Sequence, residues 1–178
     1  MDHIILKTKR TEMKFPPTSL TPAAIVNAIK DEETIRFMDA VPTMEYTEEN
    51  ASSFLDFLQY TRTSETELEL GIFDRSTDRF IGMCSLENIN PEYRVCELGY
   101  WLDKAYTGKG YMTECATALL QFAKDTLHMK AVNAFVITKH RKSIRLLEKL
   151  GFIQKKLLKD DTDNKGKMTD RYWYQLIL

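Results

Sequence analysis

The sequence predicts an α/β domain built on a mixed sheet, and three observations carry that prediction. The hydrophobic period switches from helical to two-residue and back along the chain. No unit of roughly 20 to 50 residues repeats, which sets aside solenoids and arrays. Hydrophobic residues make up 43% and charged residues 29% of 178 positions, enough apolar surface for a core of its own. That length suits a single domain over residues 1–178, because one domain takes roughly 100 to 200 residues.

The elements follow in order. Ile4 to Thr8 and Glu12 to Phe15 read as a first strand or hairpin, stopped by Pro16-Pro17. Thr21 before Pro22 is an N-cap with proline at the first helical position, and predicts a helix to about Lys30. A short second helix is expected over Asp31 to Met38, and Thr47 to Asn50 opens a third. Leu68, Leu70 and Ile72 then alternate with Glu67, Glu69 and Gly71, which predicts a half-buried strand. Phe80 to Leu86 and Val95 to Leu102 continue an antiparallel meander, with Asp74 to Asp78 and Asn88 to Glu92 as its turns. A helix from about Met112 to Leu127, a strand Ala131 to Ile137 and a helix from about His140 to Leu150 follow. Gly151 suits a left-handed helix stop. Strands near Phe152 to Leu158 and Arg171 to Ile177 close the chain.

Charge and composition remove several function classes. Lys+Arg number 25 and Asp+Glu 26, so no broad positive field exists to gather phosphates, and no nucleic-acid partner is expected. The opening apolar stretch is far shorter than a signal-peptide core, and no window approaches the roughly 20 apolar residues of a membrane span. The expectation is a cytoplasmic protein with no membrane partner, either monomer or homodimer. Cys84, Cys96 and Cys115 never form a Cys-x-x-Cys pair, and His3, His128 and His140 stand far apart, so no metal is expected.

The informative segment is Thr107-Gly-Lys-Gly-Tyr-Met-Thr113, which joins a strand to a helix. Glycine lets backbone N–H groups converge, and the first turn of the following helix adds free amides and the positive end of its dipole. A phosphate or diphosphate suits that point, and an ordinary tight turn is the competing reading. The segment lacks the Gly-x-x-x-x-Gly-Lys-Ser/Thr of a P-loop. A dinucleotide fingerprint would need Gly or Ala at Thr113 and an acid near His128 to Lys130, and has neither.

Three blocks, Glu97-Leu-Gly-Tyr-Trp-Leu102, Thr107-Gly-Lys-Gly-Tyr-Met-Thr-Glu114 and Ser143-Ile-Arg-Leu-Leu-Glu-Lys-Leu-Gly-Phe152, resemble the GNAT acetyltransferase superfamily in order and separation. The resemblance is greatest to its Rim-type branch, the ribosomal-protein N-terminal acetyltransferases and their relatives. It implies a GNAT-like mixed, mostly antiparallel sheet of about six or seven strands flanked by helices. It also implies acetyl-CoA as co-substrate, with the diphosphate on the amides of Gly108, Lys109, Gly110, Tyr111, Met112 and Thr113, and the pantetheine along Tyr100-Trp101-Leu102. Backbone donors near Trp101 and Leu102 would form the oxyanion site, and Ser143 would lie beside the thioester. Thr107 stands where Gln or Arg is usual, Met112 where Gly or Ala closes the loop, and His140 where Asn is common. Leu147 replaces a tyrosine that many members use to protonate the thiolate.

Acetyl transfer to a primary amine, at a protein N-terminus or on a small molecule such as a polyamine, amino sugar or amino acid, needs a neutral amine, a stabilised oxyanion and a proton for sulfur. A polyamine would want a strongly acidic cleft, which the dispersed Glu/Asp pattern of the sequence does not show clearly. Glu97 is the first candidate base, with Glu69, Asp160 and Asp161 as alternatives, and each competes with a purely structural reading. Ser143 is the candidate on the thiolate side, with helix capping as its alternative role. Glu114 reads as a structural partner of the helix dipole. Lys139 to Lys142 suit either a terminal phosphate or a solvated helix entrance. Phe37, Met38, Phe54, Phe57 and Tyr60 line either an acceptor cleft or the core. No covalent cysteine intermediate is expected, and a non-catalytic acyl-CoA-binding module remains a rival.

Overall fold

The computed structural model describes residues 4–38, 45–162 and 168–178; His3 and positions 163–167 lie outside them. A hairpin, β1 (Ile5–Lys7) and β2 (Thr11–Lys14), leads into α1 (Pro22–Ile29), α2 (Glu32–Arg36) and α3 (Glu48–Thr61). The meander follows as β3 (Leu68–Asp74), β4 (Phe80–Asn90) and β5 (Val95–Leu102). Then come α4 (Tyr111–Asp125), β6 (Ala131–Ile137), α5 (Arg141–Lys149), β7 (Ile153–Thr162) and β8 (Met168–Ile177).

Local chemistry sets the helix ends. The Thr21 side chain accepts from the Ala24 N–H and Asp31 caps α2. Thr47 and Asn50 satisfy each other's backbone donors in a capping box, fixing the start of α3. At the other end of α5, Gly151 takes φ 88°, the Gly151 N–H reaches Glu148 O at 3.0 Å and the Phe152 N–H reaches Leu147 O at 3.0 Å. These are the two bonds of a Schellman stop, and Phe152 is thereby turned back into the core.

Among the described residues the strands form one sheet in the order β1-β2-β3-β4-β5-β6-β8-β7, so eight strands stand where six or seven were expected. Only β5 and β6 run parallel, because α4 carries the chain back between them. Helices α4 and α5 cover one face, over Leu68, Leu70, Ile72, Cys96, Leu98 and Val132. The short helices α1 to α3 cover the other at Phe73, Phe80, Met83 and Trp101.

Three expectations need correction. The strand β3 is buried on both faces, since α1 and α3 roof the side that carries Glu69 and Gly71. The strand β4 runs four residues beyond Leu86, to Asn90, with Asn88 at φ 49° in a register shift rather than in a turn. Asp160 and Asp161 lie within β7 rather than after it; Asp161 is 3.2 Å from the Arg171 guanidinium.

Candidate active site

The loop before α4 combines left-handed glycines with backbone donors that have no acceptor. Gly108 and Gly110 adopt φ 73° and 83°, values that exclude most side chains, and the space at Gly108 is open to 4 Å. Gly110 is the N-cap of α4 and brings no capping side chain. Among the described residues, no bond from the N–H groups of Gly108, Lys109, Gly110, Tyr111, Met112 or Thr113 exists; the first helical bond is Glu114 N–H to Gly110 O. Six amides without an acceptor therefore lie at the positive end of the α4 dipole, a donor set that fits a diphosphate. Thr107 stands apart, because its amide and hydroxyl both bond to Lys104 O. The Met112 side chain is core.

Arg10, which belongs to no motif of the sequence, anchors this loop. Its guanidinium donates to Lys109 O at 2.9 Å and to Glu114 Oε1 at 2.8 Å, and lies 3.9 Å above the Tyr111 ring. Glu114 is thus held from the β1–β2 hairpin, in keeping with its structural reading. Replacing Arg10 with Ala should weaken CoA binding by roughly tenfold without changing kcat at saturation, because the loop loses its outer support; titration calorimetry and steady-state rates check this.

A gap opens beside that loop. The strands β5 and β6 pair only from Val95↔Ala131 to Glu97↔Asn133, although they continue to Leu102 and Ile137. Their other edges remain paired, β5 with β4 through Leu102 and β6 with β8 through Ile137, so this is a wedge between intact ladders. The Asp103 N–H bonds to Ile81 O at 2.8 Å, and by alternation the Trp101 amide also turns to β4. The backbone groups of Leu98, Tyr100 and Leu102 turn into the wedge. Of the two residues expected to donate there, the geometry favours Leu102. The Trp101 side chain leaves through the opposite face and packs edge-on against Phe80 at 5.6 Å.

Ser143, from α5, is buried and bonds Tyr100 Oη at 2.7 Å, bridging the wedge on the α4–α5 face. Burial pushes the Tyr100 phenol well above its ordinary value, outweighing its bond to Ser143. Leu147 is core, so the only tyrosine hydroxyl found beside Ser143 among the described residues comes from the strand. His140 stacks on Phe37 at 4.2 Å, and burial lowers it to about 4, so its ring is neutral. Lys142 pairs with Glu33 at 2.8 Å and Lys104 with Asp31 at 2.7 Å, which ties α2 to both sides of the wedge mouth.

On the opposite face the wedge ends at Glu97. Its carboxyl is raised by burial and by the nearby Glu87 charge. Glu69 is pushed up to about 8, by burial first and then by Glu87 and Glu67. The sequence reading missed Glu87 and Ser85, whose Oγ donates to Glu87 Oε1 at 2.7 Å. Extending the alternation of Phe80 to Leu86 by one residue would have set Met83, Ser85 and Glu87 on one face. Of the early aromatics, Phe54 and Met38 pack on the core, while Phe57 and Tyr60 are exposed. The three cysteines are buried, and burial raises Cys96 to about 12, Cys115 to about 11, and Cys84 strongly. Among the described residues no group of His, Cys, Asp and Glu is placed to hold a metal ion, and no helix is long and apolar enough to cross a membrane.

Comparison with known proteins identifies the family and the fold. A family model described as an acetyltransferase (GNAT) domain matches residues 16–153. The chain belongs to the GNAT acetyltransferase family. Enzymes of this family use acetyl-CoA as co-substrate. The uncharacterized N-acetyltransferase p20 of Bacillus licheniformis is 28% identical over 150 residues, covering 83% of this chain and 82% of p20. The ribosomal protein uS5-alanine N-acetyltransferase of Escherichia coli is 31% identical over 91 residues, covering 51% of this chain and 47% of that enzyme. The crystal structure of the microcin C7 self-immunity acetyltransferase MccE, solved with acetyl-CoA and AMP, superposes with a TM-score of 0.84 at 20% identity, covering 96% and 94% of the two chains. The GNAT fold of this chain is thus shared along nearly its whole length.

Proposed function

We propose that the chain, as one domain over residues 1–178, is a cytoplasmic N-acetyltransferase in which a primary amine attacks acetyl-CoA directly. The observation that carries this reading is the pairing of a run of amides at 108–113 that bond no acceptor among the described residues with a three-residue parallel contact that opens into a wedge. When bound, acetyl-CoA supplies an activated acetyl group as a thioester. The cradle amides hold the diphosphate, and the Leu98, Tyr100 and Leu102 backbone bonds the pantetheine amides as a strand edge would. The Leu102 N–H stabilises charge developing on the acetyl oxygen.

Glu97, at the vertex of the wedge, takes the proton of the incoming amine. Its raised pKa suits that task, because a base works best with a pKa closer to the working pH. The new N–C bond forms as the C–S bond breaks, and the Tyr100–Ser143 pair gives the proton that leaves CoA as its thiol. The three thiols are buried and hard to ionise, which supports direct attack over a covalent cysteine intermediate.

The reading is tested by thiol release from acetyl-CoA over primary amines and peptide N-termini. One thiol per acetylated amine is expected; CoA binding without thiol release for any amine contradicts it and points to a non-catalytic acyl-CoA module. Within the same assay, Tyr100→Phe and Ser143→Ala should each lower kcat by roughly 10- to 100-fold with KM for acetyl-CoA little changed. The double variant should cost no more than the worse single, because both hydroxyls serve one proton path.

A further inference from the structure

Four glutamates meet on the sheet face beneath α1 and α3. Glu87 and Glu97 stand directly opposite each other on β4 and β5. Glu67 precedes Leu68, which pairs with Leu86, and its carboxylate accepts from the Asn88 N–H at 3.4 Å. Glu69 lies one row further on, opposite Ser85. Adjacent strands are about 4.8 Å apart, so the row Glu67, Glu87, Glu97 extends about 10 Å across three strands and ends at the wedge. Like charges opposite one another destabilise a sheet. Among the described residues, none of the four forms an ion pair with lysine or arginine.

Two independent features turn this cluster toward a ligand. Glu69 is only 7% exposed, faces Glu67 and Glu87, and its carboxylate has no hydrogen-bond partner among the described residues. A carboxyl on so buried a residue with no partner in the protein is uncommon, and its oxygens are not among the fully buried side-chain atoms, so they stay within reach of an arriving molecule. The chain also keeps the row intact by omitting a side chain: a Cβ at Gly99 would lie 2.0 Å from Glu87 Oε1 and 2.4 Å from Ser85 Oγ. Glu67, Glu87 and Glu97 are only partly buried, so the row is open to an arriving molecule.

We propose that this row is the acceptor subsite for a linear di- or polyamine, an aliphatic chain with at least two amino groups several ångströms apart. One amine reaches Glu97 beside the wedge and loses its proton there; the next stays an ammonium between Glu87 and Glu67, and its arrival draws the proton off the neighbouring Glu69 carboxyl. A peptide N-terminus with one charge would leave most of these carboxylates facing each other without a countercharge. The inference rests on the acetyl-transfer reading above and narrows its acceptor.

The test compares kcat/KM for 1,4-diaminobutane and spermidine with that for butylamine and for an uncharged-side-chain tripeptide, all with acetyl-CoA. The diamine and spermidine should exceed butylamine by at least about tenfold at low salt, and the advantage should shrink as salt screens the row. The diamine-to-monoamine ratio should fall in Glu67→Gln and in Glu69→Gln. Equal rates for diamine and butylamine, or a preference for the tripeptide, overturn the polyamine subsite while leaving acetyl transfer standing. Absence of thiol release with every amine overturns the acetyltransferase reading and this inference with it. The wild-type comparison decides the matter even if a variant fails to fold.

Discussion

Glu97→Gln should lower kcat/KM for the amine by roughly 10²- to 10⁴-fold, the usual worth of a positioned base, and leave the dissociation constant for CoA unchanged. Glu97 sits at the last paired position of β5 and β6, so it meets the amine without touching the cradle. Burial and Glu87 raise its pKa, and only the ionised form takes a proton. The wild-type rate should therefore rise with pH through a limb above the ordinary value of 4.5, and that limb should be missing in the variant. The amine's own ionisation limb should persist in both proteins. Identical pH–rate profiles for the two would exclude Glu97 as the base and pass the role to Glu69, the other candidate on this sheet face.

Stability should respond most to Glu69. Its carboxyl is raised to about 8 in the fold, against an ordinary value of 4.5. The folded state therefore binds a proton more tightly than the unfolded chain does. Its stabilising contribution is complete below about pH 4.5, declines as the pH climbs toward 8, and is gone above that. A rise from 4.5 to about 8 corresponds to a loss on the order of 5 kcal/mol. Glu69→Gln cannot ionise, so urea unfolding at about pH 5 and about pH 9 should show a much flatter pH dependence in the variant than in the wild type. Parallel profiles would mean that the Glu69 site is well solvated.

Much of this was legible in the sequence because the signals are local. Thr21 and Thr47 announce their helices through side chains that reach only three residues ahead, and both do so in the structure. The strand β6 begins at Ala131 and ends at Ile137, as its apolar run indicates, and Gly151 ends α5 where a left-handed residue was needed. The loop before α4 could be singled out because two glycines in three positions are rare in a chain with seven.

What escaped depends on long-range pairing. Glu69 looked outward because alternation marks which residues share a face, and says nothing about whether helices will cover it. Arg10 is about a hundred residues from the loop it holds, and only the hairpin's place at the sheet edge brings them together. Tyr100 and Ser143 likewise meet only because β5 and α5 lie on either side of the wedge. The four glutamates sit on β4, on β5 and at or just before the start of β3, so their meeting follows from register, which composition and net charge do not reveal.

A crystal structure with CoA bound addresses the cradle most directly. The diphosphate oxygens should lie about 3 Å from several of the N–H groups between Gly108 and Thr113, with the pantetheine running between β5 and β6. A diphosphate seated elsewhere, with those amides bonded to nothing from CoA, would contradict the arrangement on which the proposed chemistry depends.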